Sequence, residues 1–271
     1  MNKGLTVTGP TSSTRGTMGA VSRRAAGAVL YTLGILGVWQ LLVVTFDIPP
    51  FILPSPIDVG AEVVRNGAVL VHHFRVTALE VLIGFVIAAA VGIPLACLIA
   101  ASRAARLLVY PLVVATQSVP KIAVAPLFII WLGFGVEPKI LMTVLICFFP
   151  IVLDTLVGLD SMQKEIGLLT KSMGARPLDV FMKVRLPSAL PNIFAGLKIA
   201  SSLAVVGAVA AEFVGADIGL GYLLVSAAGQ LNTALVFGII VVLSVFGAAI
   251  YYLVEIIEKR ALRGHRTSHV G

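Results

Sequence analysis

The sequence predicts an all-α, polytopic membrane protein with about six transmembrane helices, and three observations carry that prediction. Of 271 residues, 58% are hydrophobic and only 12% charged, with a mean hydropathy of +1.03. A soluble domain carries about a quarter charged residues, so this chain has too few to cover a water-facing surface. The apolar residues gather in runs close to the about 20 positions that a helix needs to cross a bilayer core of about 30 Å. The basic residues gather beside those runs, which is the mark of membrane topology. The net charge of +7 is therefore read as topology and not as a nucleic-acid surface.

The elements follow in order. Residues 1–24 are rich in Thr, Ser and Gly and are expected to form a disordered cytoplasmic tail. Residues 25–46 contain no Asp, Glu, Lys, Arg or His. This run is too long for the about 7–15 residues of a signal-peptide core, so it is read as a retained first helix. With the polar stretch after it, it forms a unit at 25–77, a first helix and an extracytoplasmic segment. A core domain is expected over 78–257. Within it, residues 81–102 are a second uncharged run. Leu107 to Val136 carries one charge, Lys121, and prolines at 111, 120 and 126. It is either one long kinked span or a span plus a re-entrant piece. Residues 140–159 carry only Asp154, and residues 199–216 only Glu212. Residues 218–254 hold no charge but are too long for one helix, so they divide into a short outer or re-entrant segment, 218–233, and a last span, 235–257. A cytoplasmic tail, 258–271, closes the chain.

Orientation follows from Lys and Arg. With the N-terminus inside, the inner segments hold 16 of them; the outer segments hold 3, namely Arg65, Arg75 and Lys139. Both termini and the polar stretch Asp160–Leu197 are thus expected on the cytoplasmic side. Small residues recur every fourth position at Gly84, Ala88 and Gly92, and again at Gly207, Ala211 and Gly215. Such stripes let two helix backbones approach closely in lipid.

Ionisable groups within a bilayer are costly, and each is a candidate functional residue. Pro120 and Pro126 bracket Lys121 and remove backbone donors. Unwound backbone at membrane depth is tolerated only where it is covered by protein or lines a water-filled cavity. Gln117, Pro120, Lys121 and Pro126 are therefore the first candidates for a translocation pathway, with Glu212 as a further one. The two cysteines, Cys97 and Cys147, sit inside apolar runs and make neither a disulfide framework nor a metal cluster. The four histidines, His72, His73, His265 and His269, fall outside the expected spans, and no metal site is expected. No G-x-x-x-x-G-K-[ST] loop occurs, so nucleotide hydrolysis is assigned to another chain, and this one is read as neither an enzyme nor a cofactor carrier.

The polar stretch is the other candidate region. Ile166, Leu169 and Met173 share one helical face, Gly174 stops that helix, and Pro177 opens a second short one. Leu186-Pro187 and Pro191 are expected to end it, which leaves two short helices at 163–187 with a sharp elbow. A soluble partner can grip such a knob.

The stretch resembles the motif of the inner-membrane permease subunits of bacterial ATP-binding-cassette importers: Glu-Ala-Ala, three residues, Gly, nine residues, Ile-x-Leu-Pro. Here Gly174 is followed nine residues later by Val184-Arg185-Leu186-Pro187, while Leu168-Leu169-Thr170 replaces Glu-Ala-Ala. Leu53-Pro54-Ser55-Pro56, Val119-Pro120-Lys121 through Ala125-Pro126-Leu127, Trp131 to Gly135, Glu212-Phe213 and Gly219-Leu220-Gly221 are similar to the nitrate/sulfonate/taurine permease group. The Pro-Lys form is similar to members assigned to thiamine-precursor pyrimidines or riboflavin.

The resemblance implies a type I importer permease in the bacterial plasma membrane. It implies three partners: an ATPase subunit that binds ATP and Mg, a second permease copy forming a homodimer, and an extracytoplasmic substrate-binding protein. Leu168, Leu169, Thr170, Gly174, Ala175, Pro177, Leu186 and Pro187 would then contact the ATPase, with Gly174 as the elbow. The rival reading, a single-chain secondary transporter, calls for internal repeats with matching broken helices; no such repeat is visible in the sequence.

Overall fold

A computed structural model describes residues 15–161 and 172–266. Among them every regular element is helical. The order is α1 (Arg15–Thr45), α2 (Pro56–Arg65), α3 (Gly67–Ala101), α4 (Arg103–Thr116), a 3₁₀ turn (Lys121–Val124), α5 (Ala125–Leu132) and α6 (Glu137–Asp160). After residues 162–171 come α7 (Pro177–Val180), a π-helical turn (Phe181–Arg185), α8 (Leu186–Gly215), α9 (Leu220–Gly229) and α10 (Thr233–Arg266).

Four helices are long and apolar enough to cross a membrane: α3, α6, the continuous run Pro177–Gly215, and α10. The bent pair Arg103–Thr116 with Lys121–Leu132 makes a fifth when taken as one span. The expectation of six also counts α1, whose apolar part is the shorter Leu30–Thr45. Two expected boundaries move outward. Helix α1 starts at Arg15, inside the segment expected as tail, and α10 continues past residue 257 to Arg266.

The core is built on α6, which lies between α3 and α8. Helices α3 and α6 run parallel, and both glycine stripes face α6 or its neighbour α5. Gly84 sits where a Cβ would fall 2.5 Å from Thr143 Cβ, and Gly92 packs against Ile151. From the other side Gly207 meets the Thr143 backbone, where a Cβ would come within 2.9 Å of Cα, and Gly215 meets Ile129 of α5. Lower down, Gly158 of α6 opposes Ala189, and Gly196 of α8 opposes the Pro150 carbonyl. Lipid tails provide no hydrophobic drive between helices, so close backbone contact of this kind supplies the packing energy. Val81, Ala88, Cys147, Ile151, Ala200, Ala204 and Ala208 fill the centre.

The Leu53-Pro54-Ser55-Pro56 stretch has a local cause. Ser55 caps α2 and Pro56 occupies its first turn. The Asp58 backbone N–H donates to Ser55 Oγ at 3.2 Å, and the Ser55 N–H donates to Asp58 Oδ2 at 3.3 Å. This reciprocal capping box satisfies two otherwise orphaned donors. Asn232 Nδ2 donates to Glu62 Oε1 (2.8 Å) and Thr233 Oγ1 donates to the Phe51 carbonyl (2.8 Å), which ties α2 and its approach to the start of α10.

Candidate functional site

Three places bring the ionisable and proline-rich residues together. The first is the break between α4 and α5. The halves are bent by 89°. Pro120 is extended (φ −66°, ψ 98°), the 3₁₀ turn begins at Lys121, and Pro126 sits in the first turn of α5. Pro126 has no N–H to leave unpaired there, which is why it suits a helix start. Gln117, Pro120 and Lys121 line a hollow of about 550 Å³ with Phe149, Pro150 and Leu203. The Lys121 ammonium lies over the Phe149 ring, 4.7 Å from its centroid. Pro126 is exposed on the surface and does not line this hollow.

The second place holds Glu212, which the sequence suggested as a pathway residue. It does not face the Lys121 hollow. Its side chain is 2% exposed and enclosed by protein. Thr77 Oγ1 donates to Glu212 Oε1 at 2.6 Å, and the Gly221 N–H donates to Oε2. The Leu220 N–H in turn donates to Thr77 Oγ1 at 2.8 Å. His73 Nδ1 lies 3.0 Å from both the N–H and the carbonyl of Gly219. Gly219 has φ +133°, and any Cβ there or at Gly221 would strike the Glu212 side chain. The Gly-Leu-Gly turn is therefore wrapped around a carboxylate, and its glycines are required by close approach.

Beside Glu212, Glu80 of α3 and Lys139 of α6 form an ion pair with Nζ to Oε1 at 3.1 Å, at 0% and 4% exposure. Lys139 also reaches the Ile218 carbonyl at 3.4 Å. Glu80 and Lys139 escaped the sequence reading. Glu80 precedes an apolar run and Lys139 lies in a short polar gap, so both looked like water-facing flanks. The detectable signal was that Glu80 and Lys139 each precede an apolar run and Glu212 lies near the far end of another, so alternating spans bring all three to the same side.

The third place is the junction around residues 160–185. Leu168, Leu169 and Thr170 lie outside the described residues. Gly174 has φ +69°, a left-handed conformation that suits glycine, and nothing crowds its Cβ position. Ala175 is exposed in the turn and Pro177 opens α7. Leu186-Pro187 does not end a helix. Pro187 falls in the first turn of α8, and Pro191 lies inside it. Pro187 lacks an N–H and its ring crowds the preceding turn, which widens to a π-turn with the Leu186 N–H bonded to the Phe181 carbonyl. The expected second short helix is thus the first part of a long one.

The base of this junction is pinned. Arg185 Nε and Nη2 donate to the Leu159 carbonyl at 3.3 and 3.0 Å. Asp160 pairs with Arg106 of α4 and lies 3.6 Å from Arg185. These groups are partly exposed, so each pair contributes about 0–1 kcal/mol. Asp160→Asn is accordingly expected to lower thermal stability by less than about 1 kcal/mol, measured by thermal unfolding in detergent. Among the described residues no group of three or more metal-ligating side chains occurs.

The fold resembles solved structures of the MetNI methionine ABC transporter in inward-facing conformations: one matched chain has a TM-score of 0.58 at 21% identity, over 72% of this chain and 94% of that one. Curated relatives span nearly the whole sequence. A probable ABC transporter permease protein of Haemophilus influenzae is 34% identical over 82% of this chain and 90% of its own length. The formylaminopyrimidine transport permease ThiX of Halalkalibacterium halodurans is 33% identical over 88% and 95%. The taurine transport permease TauC of Escherichia coli is 29% identical over 85% and 86%. The family model described as "Binding-protein-dependent transport system inner membrane component" matches residues 74–263. That range holds the α6-centred core, the broken span and the pinned junction, and on it the chain belongs to that family: it is a multi-pass transmembrane permease subunit of an ATP-binding-cassette importer.

Proposed function

We propose that this permease works as a homodimer, with both termini and the 160–185 junction in the cytoplasm. Each copy contributes the Lys121 break to a pathway for a small solute. The solute arrives on an extracytoplasmic binding protein, and a separate ATPase subunit carries ATP and Mg. No cofactor is assigned to this chain. The observation that carries the pathway reading is the proline-bracketed break within an apolar helix pair beside a hollow, because unwound backbone inside a span needs such a cavity. The 16-to-3 asymmetry of Lys and Arg supports the orientation. The relatives' names support a solute such as a pyrimidine or thiamine precursor, or a sulfonate or taurine; nitrate belongs to the same group of candidates.

In this reading the ATPase grips Leu168, Leu169, Thr170, Gly174, Ala175 and Pro177, with Leu186 and Pro187 at the root of the grip. The left-handed Gly174 and the pinned base support it, since a rigid elbow on a pinned base passes movement into α6 and α4. Gly174→Pro demands a φ near −65°, which the +69° elbow does not have. The variant is expected to insert normally and to lose transport-coupled ATP hydrolysis, while Gly174→Ala, strained by the positive φ but with open space at its Cβ, retains more of it than Gly174→Pro. Solute-stimulated ATPase activity of the reconstituted complex is the measurement. Full coupling in Gly174→Pro would remove the elbow from the mechanism. Purification from native membranes without any ATPase subunit, even after mild crosslinking, would count against the assembly as a whole.

A further inference from the structure

We infer that Lys121 is a charge filter: it admits neutral or anionic solutes that present a hydrogen-bond acceptor, and it turns cations away. This rests on the reading of the Lys121 hollow as part of the pathway.

The inference comes from comparing Lys121 with two other lysines of the helical core. Lys139 has the Glu80 carboxylate at 3.1 Å and Lys198 has that of Glu258 at 2.8 Å. Lys121 has no carboxylate within ion-pair distance among the described residues. Its polarising contact is the face of Phe149, which orients an ammonium without neutralising it. Among the described residues, no acidic one lines the hollow. Its walls are Pro120, Ile146, Phe149, Pro150 and Leu203, with the Gln117 amide as the other polar side chain. Low-dielectric walls around one unbalanced charge keep its field inside the cavity. A solute's anionic or carbonyl-like group supplies the missing acceptor, whereas an amine or metal cation meets repulsion and no counter-charge. The root of the Lys121 side chain is fixed at the hollow, because its backbone opens a 3₁₀ turn held between Pro120 and Pro126. The role is that of a specificity-determining residue, and it distinguishes Lys121 from Lys139 and Lys198, whose charges are already balanced.

The test uses the full chain assembled with its ATPase and binding-protein partners in membrane vesicles. Cys97→Ala and Cys147→Ala remove the native thiols, and Leu203→Cys places a reporter on the wall of the hollow. Two thiol reagents of similar size are compared, methanethiosulfonate ethylsulfonate (negative) and methanethiosulfonate ethyltrimethylammonium (positive). Rates are normalised to a free thiol in solution. The normalised ratio should favour the anionic reagent, fall by about tenfold in Lys121→Gln, and persist in Lys121→Arg. A second reporter, Gln117→Cys, should behave alike if Leu203→Cys assembles poorly. A ratio unmoved by Lys121→Gln overturns the filter while leaving the pathway reading intact. Reaction with neither reagent at either reporter overturns the pathway reading and the filter with it.

Discussion

Lys139→Ala is expected to destabilise the protein by about 3–5 kcal/mol, because removing one partner strands a buried charge. Glu80 would be left fully enclosed, and Glu212 lies beside it. The ion pair itself contributes little relative to a well-packed apolar pair, since desolvation offsets most of the Coulomb attraction. The double variant Glu80→Gln, Lys139→Met should therefore recover most of what Lys139→Ala loses. Thermal unfolding of the detergent-solubilised complex measures both. Equal losses in the single and double variants would show that a stranded Glu80 charge is not the source of the loss. The contrast with Asp160 is informative: the same kind of ion pair, moved from near-zero exposure to a half-exposed junction, changes from a brace to a contact that exchanges easily with water.

Gly84→Ala is the second change with a large expected effect. The new methyl would lie 2.5 Å from Thr143 Cβ and 3.1 Å from the Ile140 carbonyl. Neither neighbour is the free end of a flexible side chain, so α3 and α6 must separate. Overpacking of this kind costs about 1–3 kcal/mol. Because Gly207 presses on the Thr143 backbone from the opposite side, α6 has no room to shift toward α8. Thr143→Gly in the same chain should restore part of the loss. Gly60→Ala in α2, where nothing lies within 4 Å of the added Cβ, should instead be neutral or stabilising by about 0.5–1 kcal/mol. Yield and monodispersity of the three proteins in one detergent, with their unfolding midpoints, decide the matter. Wild-type behaviour of Gly84→Ala would mean that the α3–α6 contact is looser than this packing.

Much of the fold was legible in the sequence because its causes are local. Apolar length sets the spans, prolines at 120 and 126 break one of them, and Lys and Arg placement suggests the orientation. The four-residue spacing of small side chains marked both stripes, although not the helices they would meet. Gly174 was legible as an elbow because a helix that stops needs a residue tolerant of positive φ. The proline rule failed at Pro187. A proline in the first turn after a widened π-turn costs the helix little, so Leu186-Pro187 continues a helix that it was expected to end.

The candidate site divides in the same way. The break at Lys121 depends on residues within ten positions of one another, and the sequence located it. The Glu80–Lys139–Glu212 cluster depends on α3, α6 and α8, whose contributing residues are 59 and 73 positions apart along the chain. A carboxylate at the end of an apolar run looks the same in sequence whether it meets water or a lysine. By itself, the sequence determined that this chain spans a membrane, where it breaks, and which stretch turns at Gly174, since spans, prolines and helix stops follow from neighbouring residues. Only the tertiary structure decided which charges are balanced. Charge balance is set by distances of about 3 Å between helices, and those distances are fixed by packing across α6.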